Sequence, residues 1–287
     1  MVRGIYTAAS GMLAQEHRLD AISNNIANVE TTGYKRDTSV HKAFPELLIR
    51  RMSDDGVRQF PLRSEPLGSY DIAPVVGKLG TGVEQNEVFT VYEQGEFQQT
   101  GNALDFALEG EGFFVVQTPR GERMTRNGEF MIGPEGLLVT KQGYPVLGEN
   151  GPIPIQMNNF QLDDDGTIYA NPLYLDDPDR LVSMAENEWG DRVPVDRLQL
   201  VNVREPRYLQ KQGDSLYETT FDSGEREILE GDARPGIMQR FLEGSNVNPV
   251  REMVEMIEVN RAYEANQKVV QTQDTSTGQL LNLVSRG

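Results

Sequence analysis

The stretch from residue 5 to residue 35 constrains the fold most, because its apolar residues recur every seven positions. Ile5, Met12, Leu19 and Ile26 form one series, and Ala8, Ile22 and Val29 each lie three positions after a member of it. This spacing is typical of a helix that packs along another helix. Charged residues occupy the other faces, so an isolated copy would leave an apolar stripe in water. We therefore predict a helix that needs a partner.

A run of polar residues follows this helix. It reads NNIANVETTGYK over residues 24–35. Asn and Thr bond to nearby backbone groups, and glycine adopts positive φ, so such a run ends a helix. The helix is predicted to end near Asn28. A helix end explains these residue types but not the length of the run.

The chain between residues 37 and 82 lacks a clear period. Residues 43–52 could form a short amphipathic helix with Pro45 in its first turn. Beyond them, proline and glycine recur often, which is typical of an extended segment with little core of its own. We predict an extended connector over residues 37–82.

The middle of the chain has the pattern of a β-domain. Short apolar stretches such as Phe113–Gln117 and Leu198–Asn202 alternate with turn signals. Asn127-Gly128 and Asp165-Gly166 tolerate the positive φ of tight hairpins. We predict an inserted β-domain over residues 83–244, with an acidic surface loop near residues 171–196 whose Trp189 folds back onto the domain.

The C-terminal stretch is predicted to form a second helix. Asn248 can cap its start, and Pro249 suits its first turn. Met253, Met256 and Tyr263 belong to a second seven-residue series, but polar residues such as Asn260 and Gln267 fill half of its positions. The fold class predicted is α+β: a discontinuous helical terminal domain, residues 1–36 plus 245–287, with its two helices paired and an all-β domain inserted between them.

Several strings in the sequence resemble the axial proteins of the bacterial flagellum, the rod, hook and hook-associated family. SGM, NNIAN and T-x-GYK lie near the N-terminus, ALEGEGFFVVQTPRGERMTRNGEF in the β-domain and EMVEMIEVNRAYEANQKVV near the C-terminus. Both ends and the middle thus match one family. Within it, VLGENGPI, LQKQGDSLY and FLEGSNVN look more like the proximal-rod protein than the distal-rod protein.

The resemblance implies a structural subunit of the basal-body rod. Such a subunit would polymerise through its terminal helices into a tube that transmits torque and surrounds the export channel. Its partners would be copies of itself, other rod proteins and the flagellar type III export apparatus. It would lie in the periplasmic part of the basal body. The predicted assembly interface comprises Ile5, Met12, Leu19, Ile22, Ile26, Asn28, Gly33, Tyr34, Met253, Met256, Ile257 and Tyr263.

The charge distribution agrees with this picture. The net charge is −17, yet residues 1–36 hold four Lys or Arg against three Asp or Glu, and residues 245–287 hold four against five. The acidity therefore belongs to the middle of the chain, where it would repel a phosphate backbone, and we predict no nucleic-acid binding. No apolar run is long enough to span a membrane, and no cleavable signal peptide is recognisable. Export without a cleaved signal peptide is therefore expected.

The sequence offers no pattern for catalysis, a metal or a cofactor. Asp163-Asp164-Asp165-Gly166 fails as a calcium loop because its first and twelfth positions are Gln161 and Pro172. Gly110-Glu111-Gly112 lacks the third glycine of a dinucleotide loop. The only histidines, His17 and His41, lie outside the β-domain. We predict that the chain is not an enzyme and holds no cofactor.

Three alternatives stay open. Within the family, the chain could be the distal-rod or hook protein. From another class, it could be a secreted enzyme or binding protein with a β-domain and helical arms, or a free-standing adaptor or chaperone. A ligand-binding pocket in the β-domain would favour the secreted protein, and a stable soluble monomer or dimer with ordered ends would favour the adaptor. The seven-residue series has a plain structural role too, since Ile5, Met12, Leu19 and Ile26 could pack against Met253, Met256 and Ile257 of the same chain.

Overall fold

Two long helices and many short strands make up the protein. A computed structural model describes residues 2–50, 58–62, 65–70, 75–174, 182 and 189–284. Helix α1 spans Val2–Ala27 and helix α2 spans Pro249–Val284, and the strands lie between them in sequence. The predicted α+β class is confirmed. The chain divides into two compact units, one of Met1–Ser23, Ser39–Val88 and Met253–Gly287, the other of Asn24–Thr38 and Phe89–Glu252.

Helix α2 begins as predicted. The Asn248 side-chain oxygen accepts hydrogen bonds from the backbone N–H groups of Val250 at 3.1 Å and Arg251 at 3.2 Å. These groups have no partner inside the helix, so an asparagine cap satisfies them. Pro249 takes the first helical position, where its missing N–H costs nothing.

The first strands form three two-stranded pairs. They are β1 Asp37–Ala43, β2 Leu47–Arg50, β3 Arg58–Leu62, β4 Glu65–Tyr70, β5 Val75–Leu79 and β6 Val83–Thr90. The pairs are β1 with β6, β2 with β5 and β3 with β4. Much of the predicted connector is thus paired with itself.

The short helix predicted over residues 43–52 is wrong. Leu47–Arg50 is a strand, and Leu47 pairs with Leu79. Leu47, Leu48 and Ile49 are exposed by 51%, 56% and 44%. An amphipathic helix is stabilised mainly by burying one face. Because this segment buries no face, pairing of its backbone with β5 is the better arrangement.

The second unit holds the remaining strands. They are β7 Phe97–Gln99, β8 Phe106–Glu109, β9 Phe113–Thr118, β10 Gly121–Thr125, β11 Phe130–Ile132, β12 Leu138–Thr140, β13 Leu147–Gly148, β14 Gly151–Pro152, β15 Gln161–Leu162, β16 Thr167–Ala170, β17 Val193–Arg197, β18 Leu200–Val203, β19 Gln210–Lys211, β20 Leu216–Glu218, β21 Arg226–Ile228, β22 Gly236–Gln239 and β23 Phe241–Glu243. Short 3-10 turns lie at Pro172–Tyr174, Pro206–Tyr208 and Gly231–Ala233. The largest sheet is antiparallel, in the order β19-β20-β10-β9-β18-β21.

Strand β9 is the centre of the core. Successive side chains of a strand point to opposite faces. Phe114 and Val116 join one buried cluster with Phe106 and Leu200, whereas Phe113 and Val115 join another with Tyr217 and Val203. A strand buried on both faces has to be apolar throughout, which explains the FFVV run.

The hairpin predictions have mixed outcomes. Asp165-Gly166 does turn the chain between β15 and β16, and Gly166 has a φ of +82°. The tight hairpin expected at Asn127-Gly128 is wrong, because β11 pairs with β12 rather than with β10. The Gly128 carbonyl instead accepts a 3.0 Å hydrogen bond from the N–H of Phe106. A Cβ on Gly128 would collide with the Phe106 backbone, so only glycine lets the two backbone segments come this close.

Half of the predicted acidic loop, residues 175–181 and 183–188, lies outside the described residues. Trp189 at its end is half-buried and lines a cleft together with Leu104 and Phe160 of the β-domain. The expected packing of Trp189 onto the β-domain is therefore confirmed.

Candidate assembly site

The polar run after α1 folds into the second unit. Helix α1 ends at Ala27, one residue from the predicted end. The Asn28 side-chain N–H₂ donates to the Asn24 carbonyl at 2.8 Å. Gly33 has a φ of +66°, and a Cβ there would lie 2.6 Å from the Arg126 backbone. Its N–H donates to the Glu243 carbonyl at 2.7 Å. Glycine is thus required both for the turn and for close packing.

Asn25 joins the last turn of α1 to the start of β1. Its side-chain oxygen accepts from the N–H of Asp37 and its N–H₂ donates to the Asp37 carbonyl, both at 2.8 Å. The same oxygen accepts from the Tyr34 hydroxyl at 3.3 Å, and the N–H₂ donates to Glu252 at 3.2 Å. Asn25 is only 2% exposed. A buried amide with all these bonds fixes one geometry of the turn.

A buried charge cluster holds the end of the turn. Lys35 Nζ lies 2.5 Å from Glu243 Oε1, and Arg126 Nη1 lies 3.4 Å from Glu243 Oε2. The side chains of Lys35 and Glu243 are 0% and 1% exposed. Lys35 also donates to the Glu93 carbonyl at 2.8 Å. Burial lowers the pKa of Lys35, and the carboxylate of Glu243 acts in the opposite direction.

A second ion pair lies at the same turn. Lys211 Nζ donates to Asp37 Oδ1 at 2.8 Å and to the Lys35 carbonyl at 2.6 Å. The Thr90 hydroxyl donates to the same Asp37 oxygen at 2.7 Å. Lys211 also lies 4.4 Å from the centre of the Tyr34 ring. Bonds from several strands of the second unit therefore fix the segment 33–37.

The outer side of this turn forms one wall of a polar cleft of 630 Å³. Asn28 and Thr31 line it, and the hairpin residues Asp214 and Ser215 lie on another side. Asp214 and Ser215 both have positive φ, at 50° and 57°. Since Asn28 and Thr31 also bond to each other at 3.3 Å, the cleft wall is an ordered part of the helix end.

In the first unit, α1 and α2 contact each other through small and amide side chains. A Cβ on Gly4 would lie 3.2 Å from Gln273 Nε2, and one on Gly11 would lie 3.0 Å from Asn266 Nδ2. Arg18 forms an ion pair with Glu255 at 3.6 Å. The residue numbers rise along α1 as they fall along α2, so the helices are antiparallel. The seam follows Gly4, Gly11 and Arg18, one position before the predicted series Ile5, Met12 and Leu19.

Large apolar side chains remain exposed on both helices. Tyr6 and Leu13 of α1 are exposed by 69% and 58%. On α2, Met253, Val254 and Ile257 are exposed by 49%, 51% and 52%. Residues three, four or seven apart share a face of a helix. Each helix therefore presents an apolar face besides the one used in the seam.

The structure distributes the twelve predicted interface residues over three settings. Ile22, Gly33 and Tyr34 are buried, Met253 and Ile257 are exposed, and Ile5, Met12, Leu19, Ile26, Asn28, Met256 and Tyr263 are half-buried. Met253 and Ile257 are exposed by 49% and 52%, so only part of each side chain is covered, and their packing against α1 of the same chain stays a prediction. The role of the set in assembly stays a prediction.

Sequence reasoning missed a set of paired polar residues, of which three are buried and two half-buried. The buried ones are Asn25, Lys35 and Glu243, and the half-buried ones are Asp37 and Lys211. A lysine or glutamate in a sequence is expected at the surface, since buried charges are rare unless paired. The available signal was indirect. Lys35 lies in the T-x-GYK string and Glu243 in FLEGSNVN, both singled out by resemblance alone.

The described residues contain neither a candidate metal site nor a helix that could span a membrane. No group of three or more His, Asp or Glu side chains there could hold a metal ion. Among the helices of this part of the chain, none is long and apolar enough to cross a membrane.

Three family models match separate parts of the chain. "Flagella basal body rod protein" matches residues 5–35, "Flagellar hook protein FlgE/F/G D1 domain" matches residues 107–170, and "Flagellar basal body rod FlgEFG protein C-terminal" matches residues 238–283. These segments contain α1 with its turn, much of the β-domain, and α2. The class defined by fold and matches together is a structural protein of the flagellar axis.

Full-length relatives agree with the models. A protein named flagellar basal-body rod protein FlgG from Buchnera aphidicola subsp. Schizaphis graminum is 32% identical, over 99% of this chain and 100% of the relative. FlgG of Agrobacterium fabrum is 34% identical over 95% and 96%, and FlgF of Caulobacter vibrioides is 32% identical over 94% and 93%. The chain belongs to the flagellar rod family FlgE/F/G, and it is a structural subunit of the basal-body rod.

The names of the relatives also bear on whether the chain belongs to the proximal or the distal part of the rod. Many of the relatives carry the name FlgG, the distal-rod protein. The distal-rod alternative therefore has support from the relatives, and the preference for the proximal-rod protein stays a prediction.

Proposed function

We propose that the chain polymerises through its terminal helices into a tube around the flagellar export channel. The observation that carries this proposal is the exposed apolar face on each helix. Because the α1–α2 seam uses Gly4, Gly11 and amide side chains, it leaves Tyr6, Leu13 and Ile257 for other subunits. Exposed apolar side chains that share one face of a helix are typical of protein–protein contact surfaces.

The charges favour the same arrangement. Near-neutral ends can approach copies of themselves, whereas the acidic residues between them repel their counterparts. The tube would thus form from the helices, with the acidic β-domains kept away from the tube wall. In this proposal the chain travels unfolded through the flagellar export apparatus, without a cleaved signal peptide, and assembles in the periplasmic part of the basal body.

The test is Ile257→Asp, which places a charge on the exposed face of α2. Because Ile257 is 52% exposed in the single chain, the fold should survive, and burial of an unpaired carboxylate between subunits should block polymerisation. In a strain that lacks its own copy, we expect basal bodies arrested at the rod, seen by electron microscopy, and no swimming.

Met131→Asp is the matched control, since Met131 is 42% exposed on β11 of the second unit. This variant should support normal rods. Complete rods built from Ile257→Asp would refute the proposed interface. Loss of the cooperative unfolding transition in purified Ile257→Asp would instead reveal a folding role for this residue.

The same deletion strain addresses the place in the rod. A basal body that stops before any proximal-rod subunits have polymerised fits the proximal prediction, and one that stops after the proximal segment fits the distal alternative.

A further inference from the structure

Phe221 is the most exposed large apolar side chain in the described part of the chain. It is 100% exposed, on the connection between β20 and β21 in the second unit. A phenyl ring left wholly in water gains none of the free energy that its burial would supply. Such a residue is a candidate anchor for a partner surface.

The turn beneath Phe221 is fixed. The Thr220 N–H donates to the Ser223 hydroxyl at 2.8 Å, and the Ser223 N–H donates back to the Thr220 hydroxyl at 3.2 Å. Ser223 is 0% exposed, and its carbonyl accepts from the N–H of Glu205 at 3.2 Å. An aromatic residue held in place before binding loses little conformational entropy on contact. The backbone that carries Phe221 is therefore ordered before binding, and only its two side-chain torsions remain to be fixed on contact.

The same unit carries a cleft of suitable size and chemistry. It has a volume of 330 Å³, and Leu104, Phe160 and Trp189 line it. Met157, also in the lining, is 60% exposed. A dry apolar cavity of about 150 Å³ is enough to hold benzene, so one phenyl ring fits. Edge-to-face contact with Phe160 and Trp189 would add to simple burial.

Two acidic side chains flank Phe221, alongside the exposed Arg204 and Arg226, and two basic side chains lie beside the cleft. Asp222 and Glu225 are exposed next to Phe221. Arg240 lines the cleft and is exposed, and Arg192 donates to Gln161 in the cleft wall at 3.2 Å. Complementary charges orient two surfaces and exclude wrong partners. The pairing is notable because the chain as a whole is acidic, so most other approaches of two copies would be repulsive.

We propose that Phe221 of one copy inserts into the Leu104–Phe160–Trp189 cleft of a second copy, with Asp222 and Glu225 facing Arg240 and Arg192. The contact joins two different surfaces of the same unit. A contact of this type repeats from copy to copy and builds rings or helical arrays. The Phe221 contact therefore links β-domains of neighbouring copies, in addition to the proposed contacts between terminal helices. It can form whether or not the helix contacts do.

Site-specific photo-crosslinking tests the contact directly. The full-length chain with benzoylphenylalanine in place of Phe221 is purified, concentrated and illuminated, and the crosslinked peptides are mapped. We expect crosslinks between copies that reach residues 101–104, 157–161 or Trp189. Crosslinks only to α1 or α2 of another copy, or none between copies, would overturn the proposal. Because the crosslinker replaces Phe221 and leaves both helices unchanged, its outcome is independent of the Ile257→Asp experiment.

Substitutions test the energetics and the charges. Phe221→Ser should weaken self-association at least tenfold in analytical ultracentrifugation, while Met131→Ser should leave it unchanged. Asp222→Arg and Arg240→Asp should each weaken association, and their combination should restore it. Equal association of Phe221→Ser and the unmodified chain, or a double charge variant no better than either single one, would contradict the model.

Discussion

Lys35 shows how much a single residue contributes to the turn after α1. Its ammonium has no exposed surface and lies 2.5 Å from the Glu243 carboxylate. A buried ion pair gains little over an apolar pair of the same shape, but removal of one partner leaves a costly unpaired charge. The Lys35–Glu243 pair therefore selects one arrangement of the turn more than it adds stability.

Lys35→Met should lower the free energy of unfolding of the second unit by about 3–5 kcal/mol, since Glu243 would keep only the more distant Arg126. Urea unfolding followed by the fluorescence of Trp189 measures this. Lys78→Met is the control, because the Lys78–Glu46 pair at 2.8 Å has side chains exposed by 67% and 51%. It should cost less than about 1 kcal/mol. Equal effects of the two variants would show that burial of Lys35 has no special weight.

Buried tyrosines set an alkaline limit on the same unit. Burial raises the pKa of Tyr34, Tyr92 and Tyr217 above the ordinary value of 10.0. Their contribution to stability is therefore complete below pH 10 and is lost as the pH rises further, because the unfolded chain ionises first.

In an alkaline titration, we expect tyrosinate absorbance from these three residues to appear together with unfolding. Circular dichroism measures the unfolding. Tyr217→Phe removes one such group and should move the alkaline transition to higher pH. Ionisation of all tyrosines well before any loss of structure would contradict this prediction.

At the scale of elements, the two helices show what a sequence period can and cannot predict. The seven-residue spacing correctly indicates a helix with a partner, and Ala8 and Ile22 are buried as expected. It places the seam one position late, because apolar side chains were assumed to define it. Gly4 and Gly11 face amide side chains of α2 instead. A pattern based on hydrophobicity finds buried members such as Ala8 and Ile22, but it misses the glycine and amide contacts between the helices.

Gly11→Leu tests this seam. A Cβ at Gly11 already lies 3.0 Å from Asn266, so a full side chain should force the helices apart at a cost of about 1–3 kcal/mol. Gly278→Leu is the matched control on α2, where a Cβ meets nothing within 4 Å. It should raise helix stability by up to about 1 kcal/mol. Thermal unfolding followed by helical circular dichroism compares them, and stabilisation by both changes would refute close contact at Gly11.

At the scale of the whole molecule, the class and core strands such as β9 were predictable, since the FFVV run and the Asp165-Gly166 turn depend on local chemistry. Strands such as β1, β7 and β21 were not predicted. The membership of Asn24–Thr38 in the second unit was not predictable. It depends on bonds such as Gly33 to Glu243 and Asn25 to Glu252, which join residues more than 200 positions apart. No local pattern encodes such pairings.

Those long-range bonds also determine when the second unit can close during synthesis. Synthesis starts at the N-terminus, so the ammonium of Lys35 has no carboxylate partner until Glu243 has been added. In the same way, the Asn25 side chain lacks one of its hydrogen-bond partners until Glu252 has been added. By then only α2 is still to come. Closure of the second unit is therefore among the last events of its synthesis, and an incomplete chain lacks the bonds that fix the turn after α1.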